Sequence, residues 1–499
     1  MKNYFVLASS FLLAAGVSGQ HRTEKQVAAR IAAHKAVSAF TRLTPFTQTE
    51  APALRDALVG PVVQDASFMV ASLEDLSGVV AHPPEELTLA IPAEDGPIEL
   101  DLVRAEIYAT GFSLVTASTN AAVDHVQGVH YRGIIAGQAN SLAAISIFPD
   151  EVMGFVSDAT GNHVLGKLEG STDEHIYYTD RDLIDPPVFE CHTADVGGAH
   201  PAPPTDLDQT RSARCVDLYW EVDHDIYLDM GDVANTSNFI TGLFNQHATL
   251  FDNDGISVQL SELYIWDVVS PYTGTTTDEM LNQFQANNNG FNGDVGDLLG
   301  YSGSGGLAFL DGLCSAGQEY SLAYCSISAS YSSVPVYSWS VAVVTHEEGH
   351  VLGCPHTHAC VWNGDDTAID GCGPSAGYPY EGTCGGAPIP ANGGTIMSYC
   401  HLTPVGVNFN NGFGPQPAAL IINNVDAAPC VGACGSAGCD MPSGISSDPI
   451  AISATVSWAA VSGATSYTLQ WKPSGTAMWT TVAGITGTGQ DITGLAPGV

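Results

Sequence analysis

Basic side chains are scarce in this chain: 14 Lys and Arg stand against 53 Asp and Glu in 499 residues, a formal net charge of −39. A polyanion needs a basic face to lie on, so nucleic acid is excluded as a partner, and an anionic membrane surface with it. The surplus carboxylates read as a solvated surface suited to a salty medium. Some have the chemistry to bind calcium, but neither an EF-hand-like loop nor a nonapeptide repeat organises them, so a Ca2+ site is unsupported. Long apolar runs are also missing. Phe5 to Val17 is mainly apolar yet too short to span a bilayer, and no later stretch is long enough, which excludes membrane insertion. Cysteine is absent from the first 190 residues and all 12 follow, which fits disulfides made in an oxidising compartment. Their spacing avoids the paired Cys-x-x-Cys of zinc ribbons.

What the chain does have is concentrated between His346 and His356, read as His-Glu-Glu-Gly-His-Val-Leu-Gly-Cys-Pro-His. On a helix, His346 and His350 project from one face and can share one metal ion. Glu347 stands beside the first ligand, placed to take a proton from water at the metal. Gly353 can turn left-handed, end the helix and return His356 as a third ligand. Three neutral imidazoles with an open fourth position suit one catalytic Zn2+, whereas a structural site closes with four protein ligands. With 16 His in 499 residues, a bare His-Glu-x-x-His arises by chance in roughly two such chains in a hundred. Adding the Gly and the third His at these offsets lowers that to about one in ten thousand.

Downstream, Gly394-Thr-Ile-Met-Ser-Tyr-Cys400 resembles the methionine turn that passes beneath the zinc in metzincin peptidases, with Met397 as its methionine. Cys215 to Tyr227 resembles the opening strand of the reprolysin (adamalysin) group and its bacterial secreted relatives. Val258 to Trp266 resembles a later strand, and Gly306 to Cys314 the edge strand with its following cysteine. Two residues depart from that group. Thr357 replaces the Asp that usually follows the third His, with His358 next, and Tyr399 is typical instead of serralysins and astacins. The resemblance implies an α/β metzincin domain, a mixed sheet plus an active-site helix, over residues 214–434. It implies hydrolysis of protein or peptide substrates by zinc-bound water activated by Glu347. Tyr399 is then an extra donor to the oxyanion or a structural hydroxyl under the site. Glu348 reads as helix surface or a partner of the ligand residues, and His358 as a loop residue beside them rather than a ligand.

The rest divides around that unit. Met1-Lys-Asn-Tyr, the apolar run and Ser18-Gly19 form a secretory signal peptide over residues 1–19. Residues 20–213 read as a β-rich propeptide. Ile98–Arg104 alternates with period two, and Val129–Ile135, Ser141–Ile147 and Met153–Val156 follow as strands between turn residues. Their order resembles reprolysin propeptides. A turn-rich linker over 197–205 precedes Arg211 and Arg214, and activation cleavage is expected there, close to Arg214. Cys191, just before the linker, is either a cysteine switch, its thiolate filling the open zinc position, or half of a disulfide. Ten cysteines from Cys215 to Cys434 suffice for five disulfides, leaving Cys191 and Cys439 over.

Residues 439–499 hold short strands and an Ile492–Gly498 stretch that resembles the corner of a fibronectin type III domain. The final strands of such a β-sandwich are missing, so this part is expected to be truncated, a fragment of a longer protein. Three functions compete. A secreted zinc endopeptidase made as a zymogen accounts for every motif. A secreted adhesion or binding protein with an inactive metalloprotease-like domain explains the tail, but such domains lose the glutamate or a ligand. A metalloenzyme for a non-peptide substrate leaves the propeptide and methionine turn unexplained.

Overall fold

The computed structural model describes residues 25–50, 59–93, 96–186, 191–193, 211–288, 290–315, 317–328, 334–433, 446–450, 453–458, 467–471 and 480–495. The expected signal peptide, the 197–205 linker, Cys434 and Cys439 lie outside them. The chain forms two compact units, Met1–Gly432 and Ala433–Val499. No described helix is long and apolar enough to cross a membrane.

The first unit is built on two sheets. The N-terminal sheet runs Thr41–Leu43, Glu86–Ile91, Ile98–Ala105, Val129–Ile135, Leu142–Ile147, Val152–Asp158, Gly161–Lys167, Glu174–Thr179, Ser67–Ala71, Phe46–Thr49. It is antiparallel apart from the first pairing. Its central strands are buried on both faces, and successive residues feed different cores as the period of two requires. Leu142 and Ala144 enter one cluster, while Ala143, Ile145 and Ile147 enter another.

The second sheet is mixed. Its order is Gly306–Ala308, Leu322–Ser326, Val295–Gly300, Arg214–Val222, Ser257–Ile265, Tyr108–Thr116, Ala121–Ala122. The strands from Leu322–Ser326 to Tyr108–Thr116 pair in parallel, and Gly306–Ala308 lies antiparallel at the edge. Val295–Gly300 is buried at all six positions, as an inner parallel strand covered on both faces should be. Tyr108–Thr116 comes from the N-terminal region, so position 213/214 does not separate two cores. Ile107, Leu114, Phe148, Met153 and Phe155 share one apolar cluster with Phe239, Leu243, Val343 and Met397.

Between the sheets lies the long helix Val233–Asn253. Asp232 caps it, its carboxylate accepting from Asn235 N at 2.7 Å. The helix packs on Ser257–Ile265 and on Leu142–Ile147 and Val152–Asp158. It is therefore buried from Phe239 to Asn253, as a helix covered all round must be. Gly242 permits the closest approach, for a Cβ there would lie 2.2 Å from Met153 Sδ.

The region from Cys354 to Gly414 has little regular structure, and disulfides Cys360–Cys384 and Cys372–Cys400 close its loops. Cys314–Cys430 ties the turn after the edge strand to the end of helix Pro415–Ala427, and Cys215 is also disulfide-bonded. The expectation of five bridges among the ten cysteines is corrected here. Cys325 and Cys354 are free and fully buried; each acts as a small apolar core side chain. Cys191 is free as well.

The second unit contains a three-stranded sheet, Ser446–Ile450, Ser453–Ser457 and Gly489–Thr493, and a two-stranded one, Tyr467–Trp471 with Thr480–Ile485.

Candidate metal centre

Helix Tyr337–Val351 carries the first two histidines and is buried along nearly its whole length. Its glycine is a spatial requirement, since a Cβ on Gly349 would sit 2.6 Å from Met397 Sδ. The helix stops two residues before Gly353, whose φ of +85° reverses the chain. His356 then returns to the same point. His350 Nε2 lies 3.2 Å from His346 Nε2 and 3.1 Å from His356 Nε2.

Each ring's other nitrogen is committed elsewhere. His346 Nδ1 is 2.8 Å from Ile396 O, His350 Nδ1 2.8 Å from Cys354 O, and His356 Nδ1 2.7 Å from Glu381 Oε1. All three partners are acceptors, so the protons reside on Nδ1 and the three Nε2 lone pairs face one another. Burial, reinforced by the neighbouring His350 and His356 rings, pushes His346 well below its usual range, so it stays neutral. Converging lone pairs repel unless a cation lies between them. The donor set, three imidazoles with the Cys191 sulfur within the same 4.8 Å cluster, suits zinc and not the oxygen-seeking Ca2+ or Mg2+.

Residues 191–193 lie across this centre. Cys191 bridges in parallel to Gly306 on the edge strand, and His192 N donates to Gly306 O at 2.9 Å. Cys191 Sγ is 3.5 Å from His350 Nε2 and 3.8 Å from Glu347 Oε2. Thr193 Oγ1 donates to Glu347 Oε2 at 3.1 Å while accepting from Ala308 N at 2.9 Å. Enclosed there, Glu347 is pushed up to about 8, by burial against the opposing hydrogen bonds from Cys191 and Thr193. Burial first, and then the Glu347 carboxylate, push the Cys191 thiol up. A dication among the imidazoles would reverse this, since coordination deprotonates a thiol. Gly306 must lack a side chain, because a Cβ would meet Glu347 Cγ at 2.2 Å.

Tyr399 donates its hydroxyl to Cys191 O at 3.2 Å and sets its ring edge-on to His356, centroids 4.7 Å apart. Met397 is fully buried under the helix, and its carbonyl accepts from Thr357 N at 3.0 Å. His358 stacks on His356 at 5.0 Å, with Nε2 3.6 Å from Glu381 Oε1. The structure thus brings together His346, His350, His356, Glu347, Tyr399, Met397 and Cys191.

Glu348 requires a correction: it is not on the helix surface. It is fully buried, with Oε2 2.7 Å from His247 Nε2. Thr345 Oγ1 donates to Val341 O at 2.6 Å, so it accepts from His247 Nδ1 at 3.2 Å. His247 Nε2 is then the acceptor, and Glu348 holds the proton between them. Burial, which pushes Glu348 well up and His247 down to about 3, favours the same neutral chain. Glu381 and Thr193 went unrecognised in the sequence, since neither sits in a motif.

Residues 212–409 match the family model Reprolysin_5, Metallo-peptidase family M12. The matched segment holds the three histidines, Glu347, Met397 and Tyr399, and the match supports a metallopeptidase acting on proteins or peptides. Among solved structures the chain is similar to metalloproteinase-II from Bacteroides fragilis, at 12% identity and a TM-score of 0.33, over 59% of this chain and 90% of that one.

Proposed function

We propose that this protein is a secreted zinc endopeptidase made as a zymogen, with residues 1–19 as its signal peptide and 439–499 as a fibronectin type III-like module. The observation that carries the reading is the convergence of three buried Nε2 atoms with every Nδ1 already bonded. His346, His350 and His356 would hold the ion. A zinc ion bound there supplies Lewis-acid chemistry, acidifying water and polarising a carbonyl oxygen. Glu347 accepts the water's proton and returns it to the leaving amine. Once Cys191 withdraws, the Tyr399 hydroxyl is free to donate to the oxyanion.

In the uncleaved chain Cys191 would hold the ion as a fourth ligand and Thr193 occupies the base, which keeps the site silent. Activation is a cut within 194–214. Arg211 is exposed, whereas Arg214 Nη1 donates to Ala428 O and Val431 O at 2.6 and 2.7 Å, which favours a cut before Arg214 over one after it. The test is casein cleavage by the processed protein with and without chelator, alongside Glu347→Ala. Activity that chelator abolishes, zinc restores and the variant lacks supports the reading. Tight zinc binding without cleavage would favour an adhesion protein whose work lies in residues 439–499.

A further inference from the structure

The N-terminal region meets the peptidase part through two very different contacts. One is the three-residue strip from Cys191 to Thr193 on the edge strand. The other is deep and charge-paired. None of the 14 Lys and Arg lies between Cys215 and Ala433, so any Lys or Arg cation that meets a carboxylate there comes from outside that span. Asp252, at the end of the long helix, is bound by Arg30 through both terminal nitrogens at 2.8 Å and by Arg132 Nη1 at 3.1 Å. Arg132 is itself buried, and its Nε donates to Asn245 Oδ1 at 3.4 Å. Lys25 Nζ lies 2.7 Å from Asp254.

Backbone groups are committed in the same way. Tyr108–Thr116 pairs along Ser257–Ile265, so its departure would turn an inner strand into a bare edge. Asn245 Nδ2 donates to Tyr131 O and Ile145 O at 3.3 and 3.2 Å. Beyond the methionine turn, Phe409 N donates to Asn162 Oδ1 at 2.9 Å, Asn410 N to Ser157 Oγ at 3.0 Å, and Asn408 Nδ2 to Asp158 O at 2.7 Å. Losing the N-terminal region would strand a buried carboxylate without its cations, several polar groups without partners and one face of the long helix without its cover.

We infer that residues 25–186 stay bound after activation as a non-covalent subunit of the working enzyme, and that only the strip carrying Cys191 and Thr193 leaves the site. The inference rests on the zymogen reading for the cut itself. Retention cannot rest on a disulfide from residues 25–186, since no cysteine precedes Cys191. It also gives the N-terminal subunit a share in the active enzyme, because Ser157 and Asn162 hold the 407–410 loop that follows the methionine turn.

The test uses the full chain, with a site-specific protease sequence placed between residues 197 and 205, cut after folding and passed over a sizing column in reducing buffer. We expect both fragments to co-elute at equal stoichiometry, in low salt and at about 1 M NaCl, because buried pairs are poorly screened, and peptidase activity to co-elute with both. Separation of the N-terminal fragment from a soluble, active remainder would overturn the inference. The paired variant Arg30→Met/Arg132→Met, cut in the same way, should release the fragment and lose soluble peptidase. Undiminished retention in a folded variant would overturn the charge argument, and if the variant does not fold, the cut parent still decides. N-terminal sequencing of the naturally secreted protein tests the zymogen reading separately, since an uncut natural form sinks that reading and leaves the retention result intact.

Discussion

Glu381 Oε1 lies 2.7 Å from Nδ1 of His356, the histidine that the loop rather than the helix delivers to the metal. The carboxylate fixes the tautomer and turns the Nε2 lone pair inward. Disulfide Cys360–Cys384 encloses the loop that carries it. Glu381→Ala should therefore weaken zinc binding by about 10–100-fold, read by competition with a chromophoric chelator on the cut protein. An unchanged affinity would reduce Glu381 to a loop residue.

Silence of the uncleaved chain should depend on two side chains. Thr193→Val removes one hydrogen bond to Glu347, worth about 1 kcal/mol, so basal peptide hydrolysis should rise about fivefold. Cys191→Ser should raise it further. If both uncut variants stay as silent as the parent, the strip from Cys191 to Thr193 is not the lock.

Gly349 faces Met397 with no room for a methyl group. Gly349→Ala should cost about 1–3 kcal/mol through overpacking, although alanine is the better helix former. A thermal melt of the zinc-bound protein decides, and a higher Tm would contradict the close approach.

The neutral Glu348–His247 chain predicts an asymmetry between two variants. Glu348→Gln keeps a donor toward His247 Nε2 and should lie within about 1 kcal/mol of the parent. Glu348→Leu leaves that nitrogen unpaired and should cost about 1–3 kcal/mol. Denaturant midpoints for the pair test it. Were the contact an ion pair, the glutamine variant would suffer as much as the leucine one.

Retention of the N-terminal subunit should depend on pH. Burial alone would raise Asp252, but Arg30 and Arg132 outweigh it and hold the carboxyl well below its usual 3.8. A depressed acid contributes stability above its unfolded pKa and loses it as pH falls toward the folded value, here below about pH 4. Association of the cut fragments should hold above about pH 4 and weaken as pH falls below it. A sizing-column series across pH measures it, and a flat profile would remove Asp252 from the account.

The chemistry was legible because it is local. His346, Glu347 and His350 share one helical turn, Gly353 signals the reversal to His356, period-two patterning marked Ile98–Ala105 to within a residue, and turn residues bounded the strand Val129–Ile135. What escaped notice depends on residues far apart in the chain. Glu348 looks like a surface charge until His247, 101 residues earlier, is brought beside it. Cys325 and Cys354 look like bridge partners until burial isolates each. Tyr108–Thr116 belongs by position to the N-terminal sheet's neighbourhood, yet its parallel pairing with Ser257–Ile265 puts it in the other sheet. No pattern within the strand itself announces that choice.

The lack of Lys and Arg from Cys215 to Ala433 has a consequence for who can activate this protein. A trypsin-like enzyme sharing its medium finds Arg211 exposed, then Arg214 held against Ala428 O and Val431 O, and after Arg214 no further residue of its preferred kind until Lys472. Such an activator could remain present without the switching-on event running on into digestion of the span from Cys215 to Ala433 that carries the metal centre.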